Sequence, residues 1–308
     1  MEPENSKYLI SVVGPTAIGK TALAIQLARH FKTVVLSADS RQFYREMSIG
    51  TAVPSPEELA AVPHYFIQHK SIFETYTVGD FEQDAIALLK DLFQEHDTVI
   101  MAGGSGLYVN AVLYGLDDFP EVSPALRDAL NTTLRKEGIT ALQQELKALD
   151  PLYYQQVDLH NPQRVIRALE ISKGTGKPYS SFLKGKKQSR PFNTLSITPD
   201  AERQVIYDRI NRRVDLMMQN GLLEEAKALL PHQHLNALQT VGYKELFRYL
   251  EGDCELEFAV EEIKKNTRRF AKRQLTWFRK QPGTLRVDFQ SEPSEIITRI
   301  SDEGPIRQ

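Results

Sequence analysis

The octet GPTAIGKT at residues 14–21 follows directly on the short, apolar run YLISVV and opens a helical pattern through Ala22, Ile25, Leu27 and Ala28. A strand, a glycine-bearing turn and a helix in that order satisfy G-x-x-x-x-G-K-[ST] in the context that gives the pattern its meaning. Gly14, Pro15, Thr16, Ala17, Ile18, Gly19, Lys20 and Thr21 then form a loop that surrounds a diphosphate or triphosphate with backbone N–H groups and a helix N-terminus. Lys20 adds a point charge, and the Thr21 hydroxyl can ligate Mg2+. Such a loop requires a strand end and a helix start side by side, which places the chain in the α/β class.

Two more apolar runs end in polar residues. VVLS at 34–37 leads into ADSRQ, and TVIMA at 98–102 leads into GGSGLY. Between them DFEQDAIALLKDLFQEH carries apolar residues at helical spacing, as a crossover between parallel strands should. This order predicts a P-loop NTPase-like parallel sheet flanked by helices, with ligands bound outside the carboxyl ends of the strands. From about residue 115 the pattern is helical without strands, which predicts a helical insertion. A strand at 194–198 returns the chain to the core, and helical segments follow from 200 to about 279. The stretch 174–191, rich in Gly, Ser, Pro and Lys, reads as a mobile hinge.

With 41% hydrophobic residues in 308 and a single cysteine, Cys254, the chain is expected to build its core without disulfides. Its opening MEPENSK lacks the basic-then-apolar order of a secretory signal, and no apolar run reaches the roughly 20 residues of a membrane span. The expectation is a cytoplasmic protein, monomeric and with no membrane partner. The net charge of −2 conceals a basic segment near the C-terminus.

Candidate chemistry gathers at the strand ends. Asp39 lies where a carboxylate faces a group held by the phosphate loop, as a general base would; the competing reading is that Asp39 or Ser40 caps a turn. The second glycine-rich turn, 103–108, lets backbone and the Ser105 hydroxyl approach a ligand, or serves helix–sheet packing alone. No metal-binding Asp follows the 98–102 strand, which weakens a nucleotide-hydrolase reading. Arg209 and Arg213, four residues apart on a helix, could clamp a phosphate, whereas Asp208 and Arg212 read as a surface pair. In KKNTRRFAKRQLTWFRK, cations at 264/265, 268/269 and 272/273 make one helical stripe. It suits nucleic-acid phosphates, or is a solvated face balanced by Glu261 and Glu262. Trp277 and Phe278 read as core. No histidine spacing suits zinc.

Taken together, GPTAIGKT, ADSRQFY, MSIGTA, GGSGLY, NPQRVIRALEI, GLLEEA, TVGYKEL and TRRFAKRQLTWFR resemble the ordered motif set of the tRNA dimethylallyltransferases, from residue 14 to residue 279. The resemblance implies transfer of a dimethylallyl group from dimethylallyl diphosphate to N6 of the adenosine 3′ of the anticodon, on a flipped-out base. It implies Mg2+ as cofactor and the tRNA anticodon stem-loop as partner. It further implies Asp39 as base, Ser105 (where the family usually has Thr) against the bridging oxygen, and Lys20, Arg209 and Arg213 on the leaving diphosphate. The tRNA contacts it implies are Asp39, Ser40, Arg41, Gln42, Ser105, Arg127, Gln163, Arg164, Val165, Ile166, Arg167, Gly242, Tyr243 and Lys244. Residues 1–114 and 191–308 would then be the catalytic core, and 115–190 the helical insertion that contacts tRNA. HYFIQH at 64–69 departs from the family's pattern, leaving any contact there open. The alternatives are a P-loop kinase of a nucleoside or small metabolite, which would need ATP, and an RNA-binding module without turnover.

Overall fold

The computed structural model describes residues 7–183, 185 and 188–303. Its elements run β1 (Tyr8–Val13), α1 (Lys20–His30), β2 (Val35–Ser37), α2 (Pro56–Ala61), β3 (His64–Tyr65), α3 (Val78–Glu95), β4 (Thr98–Gly103) and α4 (Gly106–Tyr114). Four helices follow: α5 (Pro124–Glu137), α6 (Ile139–Leu149), α7 (Pro151–Gln156) and α8 (Pro162–Thr175). The chain closes with β5 (Asn193–Asp200), α9 (Arg203–Gln219), α10 (Leu222–Leu229), α11 (Tyr243–Leu250), α12 (Leu256–Arg279), β6 (Thr284–Asp288) and α13 (Pro293–Glu303).

The six strands form one sheet in the order β3-β2-β4-β1-β5-β6, and every pairing is parallel. All six residues of β1 are buried, because helices cover both faces of the sheet. Alternation along that strand feeds two cores: Leu9 and Val13 join Leu36, Phe43, Phe81 and Met101 on one face, while Ile10 and Val12 join Leu27, Ile100 and Ile197 on the other. The crossover α3 starts at a reciprocal cap, Thr77 accepting from Asp80 N while the Asp80 carboxylate accepts from Thr77 N. Helix α2 starts the same way, with Ser55, Glu58 and Pro56 in the first turn.

The chain divides into two compact units, one holding the described residues up to Tyr114 and from Ser189 onward, the other Gly115–Gln188. The second unit is all helical and packs Leu130, Leu142, Leu146, Val165, Ile166 and Leu169 into its own core. Its buried Asp150 carboxylate accepts from Tyr153 N, Ser180 N and Ser180 Oγ, tying α7 to the short 3₁₀ turn Tyr179–Phe182.

Against the sequence, β2 starts one residue later than expected, at Val35, and β5 is longer than 194–198. Strands β3 and β6 were not foreseen. The first is only two residues long, and the second, TLRVD, has a charged residue in its middle and at its end. Within the expected hinge, Gly174 and Thr175 finish α8, whose capping Gly176 takes a φ of +69°. Lys184, Lys186 and Lys187 of that stretch lie outside the described residues.

Candidate active site

Strand register brings the expected residues together. Val13 pairs with Gly103 and Ser37 with Ala102, so β1, β2 and β4 end at one level. The loops that leave them carry Gly14, Asp39 and Ser105. A main-chain bond from Ala38 N to Ala102 O (2.8 Å) continues the ladder past β2, and Gly103 fits beneath it because a Cβ there would meet Ala38 O at 2.4 Å.

The phosphate loop is tightly wound. Ala17 holds φ at +65° and Gly19, the N-cap of α1, at +106°, and both line one cavity with Lys20 and Thr21. Two arginines from α9 lie over the loop: Arg209 Nε donates to Ala17 O (2.7 Å) and Arg213 Nη1 to Thr16 Oγ1 (3.2 Å). Lys20 Nζ donates back to Pro15 O (2.7 Å). Burial pushes the Lys20 ammonium down to about 8, with Asp39 opposing the shift and Arg213 adding to it. Burial, and then the charge of Arg209, lowers Arg213 as well. Three cations thus crowd the loop, and Asp39 and Glu58 are the acidic groups whose charge opposes these shifts.

Asp39 does cap a turn: its Oδ1 accepts from Arg41 N (3.1 Å), and Gln42 N donates to Asp39 O. The cap uses one carboxylate oxygen, so the capping reading holds, and the other oxygen is not used by the cap. Ser105 Oγ accepts from Ser40 N (3.1 Å) and lies 3.1 Å from Ser40 Oγ, so its proton is free to reach either Ser40 or a ligand. Gln42 is spent internally. It takes a bond from Ser37 Oγ and gives two to Thr51 O and Ala52 O, which fixes the loop after β2.

Two cavities meet at Asp39. One, of about 420 Å3, is lined by the phosphate loop with Ser37, Glu58 and His64. The other, of about 450 Å3, is walled mainly by Leu107, Tyr108, Val214, Met217, Ile263, Phe270 and Trp277. Thr16, Asp39, Thr51, Ala52 and Arg213 line both. A polar, cation-rich cavity therefore adjoins an apolar one at Asp39.

Several expected contacts turn out differently. The Tyr243 side chain cannot meet RNA: it is fully buried, its hydroxyl donates to Glu225 Oε1 (2.6 Å), and burial beside that carboxylate raises its pKa. Val165 and Ile166 are likewise core of the helical unit. Gly242 lines the apolar cavity and Lys244 is exposed beside it. In the helical unit the buried Glu170 holds Arg127 (3.4 Å) and Arg167 (3.0 Å), and Arg127 reaches Gln163, while Arg164 is exposed. Arg41 donates to Asn236 O and Ala237 O. Asp208 accepts from Gln204 in its own helix.

The cationic stripe splits along α12. Lys264 pairs with Asp215 and Glu261 and Lys265 with Glu262, so these two cations are neutralised within the chain, while Arg268 donates to the neutral Asn211 and keeps its charge. Arg269, Lys272, Arg273 and Lys280 instead surround Trp277, which is 38% exposed, contrary to its reading as core; Phe278 is buried as expected. In the HYFIQH stretch His69 packs among Phe43, Phe66 and Tyr76, and burial lowers its pKa.

Sequence reasoning missed Glu225. Its carboxylate accepts from Ser48 N, Ile49 N and Gly50 N (3.0, 2.8 and 2.9 Å) as well as from Tyr243, and so holds the loop whose Thr51 and Ala52 line both cavities. Only its place in GLLEEA could have flagged it. Among the described residues no three His, Cys, Asp or Glu converge to hold a metal unaided. Among the donors lining the phosphate-loop cavity, Thr21, Asp39 and Glu58 offer hard oxygens of the kind Mg2+ takes, beside the imidazole of His64. No helix among the described residues is long and apolar enough to cross a membrane.

Comparison with known proteins agrees with this arrangement. Residues 42–281 match the model of the IPP transferase family. The chain is 58% identical over 300 residues to a tRNA dimethylallyltransferase of Flavobacterium johnsoniae, covering 96% of this chain and 97% of that one. It is also 58% identical to that of Christiangramia forsetii, covering 97% and 99%. Among solved structures it superposes on a tRNA isopentenylpyrophosphate transferase of Bacillus halodurans (38% identity, TM-score 0.69, 96% and 95% covered). It also superposes on a eukaryotic dimethylallyltransferase acting on tRNA (26% identity, TM-score 0.83, 98% and 81% covered). With a parallel sheet that gathers the phosphate loop, Asp39 and Ser105 at one edge, and relatives matched over nearly its whole length, the chain belongs to the IPP transferase family, the tRNA dimethylallyltransferases.

Proposed function

We propose that the protein transfers a dimethylallyl group from dimethylallyl diphosphate to N6 of the adenosine 3′ of the anticodon in tRNA, releasing diphosphate. The observation that carries this reading is the placement of Asp39 between a polar phosphate cavity and an apolar one. The diphosphate would lie against the amides of residues 14–21, and the flipped adenine and the allylic tail on the apolar side.

The N6 nitrogen attacks the allylic carbon as the carbon–oxygen bond to the diphosphate breaks. The free oxygen of Asp39 takes the proton that N6 sheds. Lys20, Arg209 and Arg213 face the charge that grows on the leaving group, and the Ser105 hydroxyl is free to donate to the bridging oxygen. Bound Mg2+, with Thr21 among its ligands, would add charge neutralisation on the diphosphate. Since the attacking atom is an amine rather than water, no water-activating group is needed. Arg127, Gln163, Arg164 and Arg167 of the helical unit, with Lys244 and the Lys272 and Arg273 end of α12, would meet the anticodon stem-loop.

The test supplies unmodified tRNA, Mg2+ and either dimethylallyl diphosphate or ATP, and analyses digested nucleosides by mass spectrometry. Prenylated adenosine is expected only with the allylic diphosphate, and Asp39→Ala should cut turnover by about 10²-fold or more with tRNA affinity little changed. ATP consumption without modified adenosine would return the reading to a kinase.

A further inference from the structure

Helix α12 sends one side chain into the heart of the site. Gln274 is 6% exposed, although it belongs to an otherwise charged stretch of a surface helix. Its Oε1 accepts from Thr16 N of the phosphate loop (2.9 Å), and its Nε2 donates to Gly104 O of the second glycine-rich loop (2.9 Å). Both partners are main chain, so only a side chain with one donor and one acceptor, held in this orientation, satisfies both. Gly104 has no room for a side chain because of this amide: a Cβ there would lie 2.3 Å from Gln274 Nε2 and 3.4 Å from Gly14 O. One turn further on, Trp277 closes over Gly106 in the same way, its Nε1 2.3 Å from where a Cβ would stand.

We infer that Gln274 is a positioning residue for the transfer: its amide clamps the phosphate loop to the loop of Gly104 and Ser105, fixing the distance between the leaving diphosphate and the groups that serve the nucleophile. Neither loop bonds the other through main chain at this point. Ser105, whose oxygen engages Ser40 beside Asp39, follows Gly104 directly, and Thr16, which Arg213 holds through its hydroxyl, lies inside the phosphate loop. The clamp therefore joins the half of the site that binds charge to the half that removes a proton. In-line displacement is sensitive to such a distance: a misplacement of about 1 Å costs on the order of 10²-fold in rate. Gln274 touches no reacting atom in this scheme; it acts through the two loops.

The inference rests on the transferase reading, and the experiment separates the two. Wild type, Gln274→Met and Gln274→Glu are compared in single-turnover prenylation of a tRNA anticodon stem-loop from pH 5.5 to 8.5, alongside calorimetric binding of inorganic diphosphate. Gln274→Met, which keeps the volume and loses both bonds, should lower the maximal rate by about 10- to 100-fold while diphosphate affinity changes less than about threefold. Gln274→Glu should be slow at pH 8.5 and recover relative to wild type as pH falls, because a protonated carboxyl presents one donor and one acceptor as the amide does. Wild-type inactivity would sink the function itself. An active wild type with a Gln274→Met variant of undiminished rate would overturn the clamp. So would a Gln274→Met variant that loses diphosphate binding as fully as rate, or a Gln274→Glu variant whose pH profile runs parallel to wild type.

Discussion

On the proposed function, Lys20 should make diphosphate affinity a function of pH. In the free protein burial pushes its ammonium down to about 8. A diphosphate bound beside it adds negative charge to that of Asp39 and should return the group toward the ordinary lysine value of about 10.4. At pH 7 the free protein already carries the proton, and binding recruits almost none. At pH 9 most free molecules have lost it, and binding must take up about 0.9 proton. The affinity for dimethylallyl diphosphate should therefore weaken about 10-fold between pH 7 and pH 9, close to 1.4 kcal/mol. The last ionisation of the ligand, near pH 6, is complete before this window opens. Calorimetry at constant Mg2+ in two buffers of different ionisation enthalpy reads both quantities, and Lys20→Met should bind weakly with no slope. For the ligand-free protein the sign reverses. The unfolded lysine binds protons between about 8 and 10.5 that the folded one refuses, so its folding stability should rise with pH across that window. Flat affinity from pH 7 to 9 with no proton uptake at pH 9 would refute the reasoning, because it would mean that Lys20 is already fully charged in the free site.

Other residues make narrower claims. Ser105→Ala should lower the transfer rate by about 10-fold or more with a smaller change in diphosphate affinity, as for a contact formed with the bridging oxygen in the transition state; equal losses in both would assign Ser105 to ground-state binding. Glu225→Ala strips the acceptor from three loop amides and from the Tyr243 hydroxyl, and should cost about 2–4 kcal/mol in urea unfolding, whereas a value under about 0.5 would show the loop holds itself. Neutralising Lys272 and Arg273 should reduce the salt slope of tRNA binding by about one to two, while neutralising the paired Lys264 and Lys265 should leave it nearly unchanged. Equal effects from the two pairs would contradict the division of the stripe.

What could be read in advance was what lies at strand ends, since a parallel sheet delivers every carboxyl-end loop to one edge whatever the strand order. Gly14, Asp39 and Ser105 were legible for that reason. Arg209 and Arg213 followed from helical spacing, which identifies a shared face without saying what it faces. Glu225 and Gln274 escaped because both bind main-chain groups far away in sequence, Glu225 besides the Tyr243 hydroxyl, and a backbone amide leaves no trace in the residue that carries it. Tyr243, Val165 and Ile166 erred in the other direction. They stand inside motifs that resemble RNA-contacting ones, yet an apolar residue between polar neighbours on a helix turns inward, and the motif does not distinguish the two faces. Trp277 was misjudged because an aromatic near the end of a long helix packs or protrudes according to the loop beneath it, here the glycine at 106.

Arg190 gives the insertion an unexpected status. Its Nε donates to Val112 O (2.9 Å) and its Nη2 to Ala111 O (2.6 Å) and Glu82 (2.5 Å), so one guanidinium fastens the strand-bound return of the chain to the helix from which it departed. Departure and return thus share an anchor inside the core itself. Everything between them is a detour whose length the core does not feel, since closure costs grow only slowly with loop size and the ends are already pinned. A change in the length of that detour should therefore leave the pairing of β1 with β4 and β5 in place.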